Sequence, residues 1–277
     1  MSASRHVSLL MTSGLAPLVS IGLTASIVAG AATLVAGGST SSRIAAQSDR
    51  QTFVDELVVA NRILANESVL DGYGHVSLRN PGNASHYFLS RSRAPALITS
   101  ADILEYDLDS VPVEKGMAGG YIERFIHGEI YRARPDVKSI VHCHCPDVIP
   151  FSTTPVPMRP LYHMAFFVGA GVPVFEIRDA AESSDMLIRT PALGKSLART
   201  LANKSAILMR GHGAVVAAPS LHLAVGEAYY LNLNARLQLQ AMQLAGDKVV
   251  YLNPAEAEKA TQDYERSWDA WKARLPR

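Results

Sequence analysis

Cysteine is nearly absent. The chain has two, Cys143 and Cys145, so a disulfide framework is excluded. A single residue separates them, which argues against a bridge between the two. Charge is sparse as well. Charged residues make up 18% of the 277, the 26 basic and 25 acidic side chains nearly cancel, and neither sign gathers into a run. Nothing in that pattern suits a nucleic acid or an acidic surface. No internal repeat is visible. Hydrophobic residues, at 48%, are enough for one sizeable core.

The emptiest stretch for charge is 7–42, "VSLLMTSGLAPLVSIGLTASIVAGAATLVAGGSTSS", set between Arg5 and Arg43. It is long enough to span a bilayer. It also has the basic, apolar, small-residue order of a signal peptide, with "AGA" at 29–31 as a cleavage site. The expectation is an exported or anchored protein that touches a membrane through residues 7–42. A cytoplasmic protein with a dispensable tail is the alternative. Residues 1–48 are set aside as leader and linker, and 49–277 as the folded domain.

Beyond "AAQSDR" the chain is regular. Residues 51–70 carry Phe53, Leu57, Val58, Ile63 and Leu64 at helical spacing. "GYGHVSLRN" and "ASHYFLS" read as a hairpin around "PGN". "SADILEYDL" reads as a helical turn capped by Ser100, then a strand. A helix follows from the glycines at 119–120 to near Pro135, and then the strand "VKSIVHCHC". "VPVFEI" is a short strand, 190–204 a helix and "SAILMRGHGAVVAA" a strand. A long helix is capped by Ser220 and stopped by Gly246, and residues 253–275 form a last one. Alternating strands and helices predict one α/β domain with a mixed sheet between helices.

Chemistry concentrates in "SIVHCHCPDV", 139–148. On a strand, successive side chains face opposite ways. His142 and His144 therefore share one face and the two cysteines the other, so the four do not form a single metal knot. Two imidazoles on one side suit a divalent metal that takes further ligands from elsewhere. His212, between glycines in "MRGHGAVV", is the candidate third. Glu123 or His127, four apart on one helix, is the candidate fourth.

The ordered set of the first helix, "GHVS" (74–77), "GYIERFIHGEIYRARPDVKSIVHCHCPDVIPFS" (120–152) and "ILMRGHGAVV" (207–216) resembles the class II aldolase/adducin family, over residues 52 to 245. The resemblance implies a three-layer α/β/α domain with a central mixed, largely antiparallel sheet. It also implies one divalent metal ion per subunit (zinc, manganese, iron or cobalt) and a homotetramer with interfacial sites. Carried over, His142, His144 and His212 are the metal ligands and Glu123 is the catalytic acid/base.

The departures from the family pattern bear on the substrate. Its sugar-phosphate aldolases have Asn in "GNVS", a Thr-Gly pair after the next strand, and serines before the catalytic Glu. Here His75 stands for the Asn, Ser92 and Arg93 for the pair, and Tyr121 and Ile122 for the serines. The phosphate cradle is dismantled. Arg91 and Arg93 instead offer forked donors suited to a carboxylate. His163, in "LYHMAFF", is a further acid/base candidate, and Tyr229 a group that reaches a neighbouring subunit's site. These features resemble the branch that decarboxylates hydroxylated aromatic carboxylates such as dihydroxyphthalate. The expected substrate-binding set is His75, Ser92, Arg91, Arg93 and Tyr229. The alternatives are an aldolase for a non-phosphorylated hydroxy-keto substrate and a non-haem iron oxygenase, with a non-catalytic adducin-like module last.

Overall fold

The structure is a computed structural model that describes residues 37–116 and 120–276. The chain divides into two compact units, Met1–Arg43 and Ile44–Arg277. The leader expectation rested on residues 7–42, of which 7–36 lie outside the described residues. Among the described residues, no helix is long and apolar enough to cross a membrane. The expectation of an exported or anchored protein is corrected accordingly.

Helix α1 (Gly37–Asn66) leads into three antiparallel strands: β1 (His75–Arg79), β2 (His86–Ser90) and β3 (Ile103–Asp107). Next come α2 (Arg124–Ala133), β4 (Ser139–Cys143), α3 (Ile149–Thr153), β5 (Val174–Phe175), α4 (Pro191–Leu201), β6 (Ala206–Met209) and β7 (Gly213–Ala218). Helices α5 (Leu221–Ala245), α6 (Pro254–Lys259) and α7 (Glu265–Ala273) close the chain. The seven strands form one sheet in the order β3-β2-β1-β4-β7-β6-β5. Every pairing is antiparallel except β5 with β6.

Two cores lie on opposite faces of this sheet. Val141, Val216 and Leu208 pack with Leu57 and Ile63 of α1 and Val225 of α5. Ile140, Val215 and Ile207 pack with Ile126 and Ile130 of α2 and Leu197 of α4. Adjacent residues of one strand thus feed different cores, as the period of two requires. The expected α/β architecture with a mixed, mostly antiparallel sheet is what the chain adopts.

Several boundaries differ from the sequence reading, each for a local reason. "SAILMRGHGAVVAA" is a hairpin, because Gly211 takes φ +62° between β6 and β7. The last helix is two, because Ala260 is extended at the end of α6 and Tyr264 takes φ +59° ahead of α7. The first helix begins at Gly37 and ends at Asn66. Thr99, not Ser100, is the cap residue before β3. For α5 the expected signals hold: the Ser220 side chain accepts from the Leu223 amide, and Gly246 ends the helix at φ +59°. The cysteines are also corrected. Cys143 and Cys145 are joined by a disulfide, with Cα atoms 5.2 Å apart. Strand β4 stops at Cys143, so the chain turns and returns Cys145 within bridging distance. Both pack in the α1/α5-side core.

Candidate metal centre

The two middle strands and the start of α2 build the site. In the β1/β4 register His75 lies opposite His142. His144 follows directly after β4, and His212 sits in the β6–β7 turn. That turn presses close: a Cβ on Gly213 would collide with the Cys143 carbonyl oxygen. A glycine is therefore needed for His212 to reach the end of β4. Glu123 occupies the N-cap position of α2 yet makes no capping bond with its own helix. Its Oε1 accepts from the Ile188 amide at 2.9 Å. Its Oε2 lies 3.3 Å from His142 Nε2 and 3.4 Å from His212 Nε2.

Glu123, His142, His144 and His212 each offer one ligand atom, and these atoms lie within 4.8 Å of one another. Each imidazole is oriented through its other nitrogen. His142 Nδ1 is 3.1 Å from the Ala214 carbonyl, His144 Nδ1 3.0 Å from Asp71 Oδ2, and His212 Nδ1 2.8 Å from the Met186 carbonyl. A nitrogen that faces an acceptor carries the proton, so all three Nε2 atoms present lone pairs inward. His144 Nε2 and His212 Nε2 stand 3.1 Å apart. His142 Nε2 is buried without a hydrogen-bond partner among the described residues. Lone pairs do not converge on one point unless something positive sits between them, and three neutral imidazoles with a carboxylate match a divalent ion. The residues fit the expected metal.

The electrostatics agree. Burial alone would raise the Glu123 pKa, but positive charge at the positions of the His142 and His212 rings pulls it far below the carboxylate range, and a cation held between neutral rings would act in the same sense. Burial lowers the His142 pKa and keeps that ring neutral. Burial also disfavours charge on His212, yet Glu123 beside it shifts the balance upward.

A second network backs the site. His127 is not part of the four-residue group. Its Nε2 is 2.7 Å from His75 Nδ1, and its Nδ1 is 2.6 Å from Ser77 Oγ. Ser77 Oγ is in turn 2.7 Å from the Tyr131 hydroxyl. The alternative acceptor for Tyr131, the Lys138 carbonyl, is 3.4 Å away. The four groups form one hydrogen-bonded chain, from Tyr131 through Ser77 and His127 to His75. Burial drops the His127 pKa to about 3, so the relay stays neutral. Between these two networks opens a cavity of about 270 Å³, lined by Glu123, His144, His75, Ser92, Tyr73 and Tyr121, with Ile122 and Leu187 beside them.

The structure does not bring every expected residue here. Arg91 and Arg93 turn away onto Asp102, with N–O distances of 2.5 and 3.0 Å, and neither lines the cavity. Asp102 is 2% exposed, and a buried carboxylate must be matched by cations. Burial would raise its pKa, but Arg91 and Thr99 hold it well below the usual range. His163 and Tyr229 line a separate cavity of about 520 Å³ with Tyr230, Tyr264 and Trp271. Asp71, Ser77 and Tyr131 escaped the sequence reading. Only "GHVS" pointed toward Ser77, while Asp71 and Tyr131 carry no motif of their own.

The profile of the class II aldolase and adducin N-terminal domain matches residues 55–239. Decarboxylase tropJ of Talaromyces stipitatus is 38% identical over 235 residues, covering 76% of this chain and 88% of that protein. A 3,4-dihydroxyphthalate decarboxylase of Arthrobacter keyseri is 31% identical over 207 residues, covering 69% and 79%. Among solved structures, L-fuculose 1-phosphate aldolase from Glaciozyma antarctica aligns with a TM-score of 0.66 at 22% identity, over 83% of this chain and 90% of that one. At that identity the likeness is one of fold.

Proposed function

The chain belongs to the class II aldolase and adducin family, and from that premise we propose a divalent-metal-dependent carbon–carbon lyase that decarboxylates a hydroxylated aromatic carboxylate. The observation that carries the reading is the convergence of three Nε2 lone pairs and the Glu123 carboxylate on one point. His142, His144 and His212 would hold the ion. When bound, it supplies a Lewis acid for adjacent substrate oxygens.

The protein's own groups do the rest. Ionised Glu123, fixed by the Ile188 amide, takes the phenolic proton as the substrate binds. The same carboxyl then delivers that proton to the ring carbon bearing the departing carboxylate. The electron pair of the carbon–carbon bond returns to the ring as carbon dioxide leaves. One solvent proton restores the phenol on release. His75 and Ser92 are further polar groups on the wall that hydrogen-bond substrate oxygens. Tyr73, Tyr121, Ile122 and Leu187 give the cavity the apolar sides that a ring prefers. The relatives named as decarboxylases support this reaction over aldol cleavage.

An interfacial site in a homotetramer is part of the proposal, and is consistent with the exposed Tyr73 and Ile122 at the cavity rim. Light scattering on the purified chain tests it.

The decisive experiment measures bound metal and carbon dioxide release from 3,4-dihydroxyphthalate, with Glu123→Gln and His212→Ala alongside. Release that needs the metal and both residues supports the reading. Metal binding with no release from any hydroxylated aromatic carboxylate overturns the decarboxylase assignment.

A further inference from the structure

Glu227 is a glutamate that the proposed chemistry does not use. It sits on α5 and is 5% exposed. Its Oε2 is buried with no hydrogen-bond partner among the described residues. A buried polar atom without a partner is rare enough in a native protein to need a reason. Glu227 lies on the wall of a cavity of about 420 Å³. Phe166, Phe167, Ala170 and Ala257 make that wall mainly apolar, while Ser205 and Glu258 add polar groups. Among the described residues, no lysine, arginine or histidine lines it. None of its lining residues borders the cavity beside the metal ligands.

The lining therefore has two carboxyls, two hydroxyls (Ser205 and Thr261), an aromatic and aliphatic body, and no positive charge among the described residues. The complement is an organic cation with an apolar frame. We propose that this cavity is a binding site for a small primary amine on an apolar body, whose ammonium pairs with Glu227.

Burial holds the empty carboxyl protonated, with its pKa pushed up to about 8. The ionisable groups around it are Glu258 at the cavity and Tyr264 ahead of α7, and neither is a cation. An ammonium in the cavity supplies the missing counter-charge. The ligand keeps its proton, Glu227 gives its own to the buffer, and an ion pair replaces an unpaired acid.

The test is calorimetric titration of the full chain with benzylamine at pH 7, in phosphate and in HEPES, with benzyl alcohol and benzoate as controls. We expect one benzylamine per chain and release of about one proton on binding, seen as a heat that differs between buffers. Glu227→Gln should weaken binding by at least about tenfold and abolish the proton release. Ala170→Trp, at an exposed position of the cavity lining, should weaken binding by obstruction while leaving decarboxylation unchanged. It also decides the matter if Glu227→Gln does not fold. Benzyl alcohol or benzoate binding as tightly as the amine would overturn the proposal. So would amine binding that survives both substitutions, as amine ligation at the metal centre would.

Discussion

Glu123 and Glu227 are both glutamates, 7% and 5% exposed. Burial opposes ionisation of both, yet they end at opposite extremes. Two imidazoles and the Ile188 amide surround Glu123, and its pKa falls far below the usual carboxylate range. Glu227 has a mainly apolar wall and no hydrogen-bond partner for its Oε2 among the described residues, and its pKa climbs to about 8. Burial sets the stakes, and the neighbours decide the charge. In the first site the carboxylate is one member of a set that a cation completes. In the second it is an acid without a counter-charge.

The largest effect comes from removing the charge at the first glutamate. Glu123→Gln keeps the shape and the Ile188 contact but can neither take nor return a proton. Turnover should fall by about 10²–10⁴-fold in a carbon dioxide release assay, with metal content little changed. Retained turnover would place the proton transfer on another group.

Removing the cation breaks the same site from the other side. Chelation should abolish turnover and lower the melting temperature, because the three imidazoles are left with their lone pairs opposed. Asp71→Asn loosens only the orientation of His144 and should weaken metal affinity by about 10–100-fold, read by competition with a chromogenic chelator. Wild-type affinity would mean that Asp71 does not orient the ring.

For Glu227 the prediction concerns stability against pH. The unfolded side chain ionises near its ordinary 4.5, and the folded one only near 8. Between these values the folded state retains a proton that the unfolded state has lost. Stability therefore falls as pH rises through that window, by up to about 1.4 kcal/mol per unit. Glu227→Gln should flatten this slope and stabilise the protein at pH 7 by roughly 3 kcal/mol. Urea titrations at pH 5 and 8 measure it. An unchanged slope would mean that a donor already pairs with the acid.

The smallest expected effect is in the relay. Ser77→Ala removes the link that fixes the tautomer of His127 and hence of His75. Turnover should fall by about tenfold with the metal retained, within the range for a lost hydrogen bond. His127→Ala should give a similar loss, and a loss from only one of the two would mean that the four groups do not act as a relay.

Much of the fold was legible because periodicity reports burial. Val141 and Ile140 alternate between two cores just as a strand pattern requires. The Ser220 cap and the Gly246 stop were readable because capping is local chemistry. Turns set by single backbone angles were not: Gly211 splits one apparent strand, and an extended Ala260 with a left-handed Tyr264 splits one apparent helix. Tyrosine carries no signal for such a bend.

The same division runs through the site. His142 and His144 were paired by the period of a strand, and the set with His212 and Glu123 came from the resemblance to the class II aldolase/adducin family. By itself the sequence determined which residues could hold a cation and which family frame would hold them. Only the tertiary structure decided which of Glu123 and His127 joins them. Both lie on one face of a helical segment, and their roles separate only when β1 and β4 arrive beneath it. It also committed Arg91 and Arg93 to Asp102, placed His163 and Tyr229 in another cavity, and left Glu227 Oε2 without a partner among the described residues. Hydrogen bonds and charge pairing act over a few ångströms between residues far apart in the chain, and no local pattern records that distance.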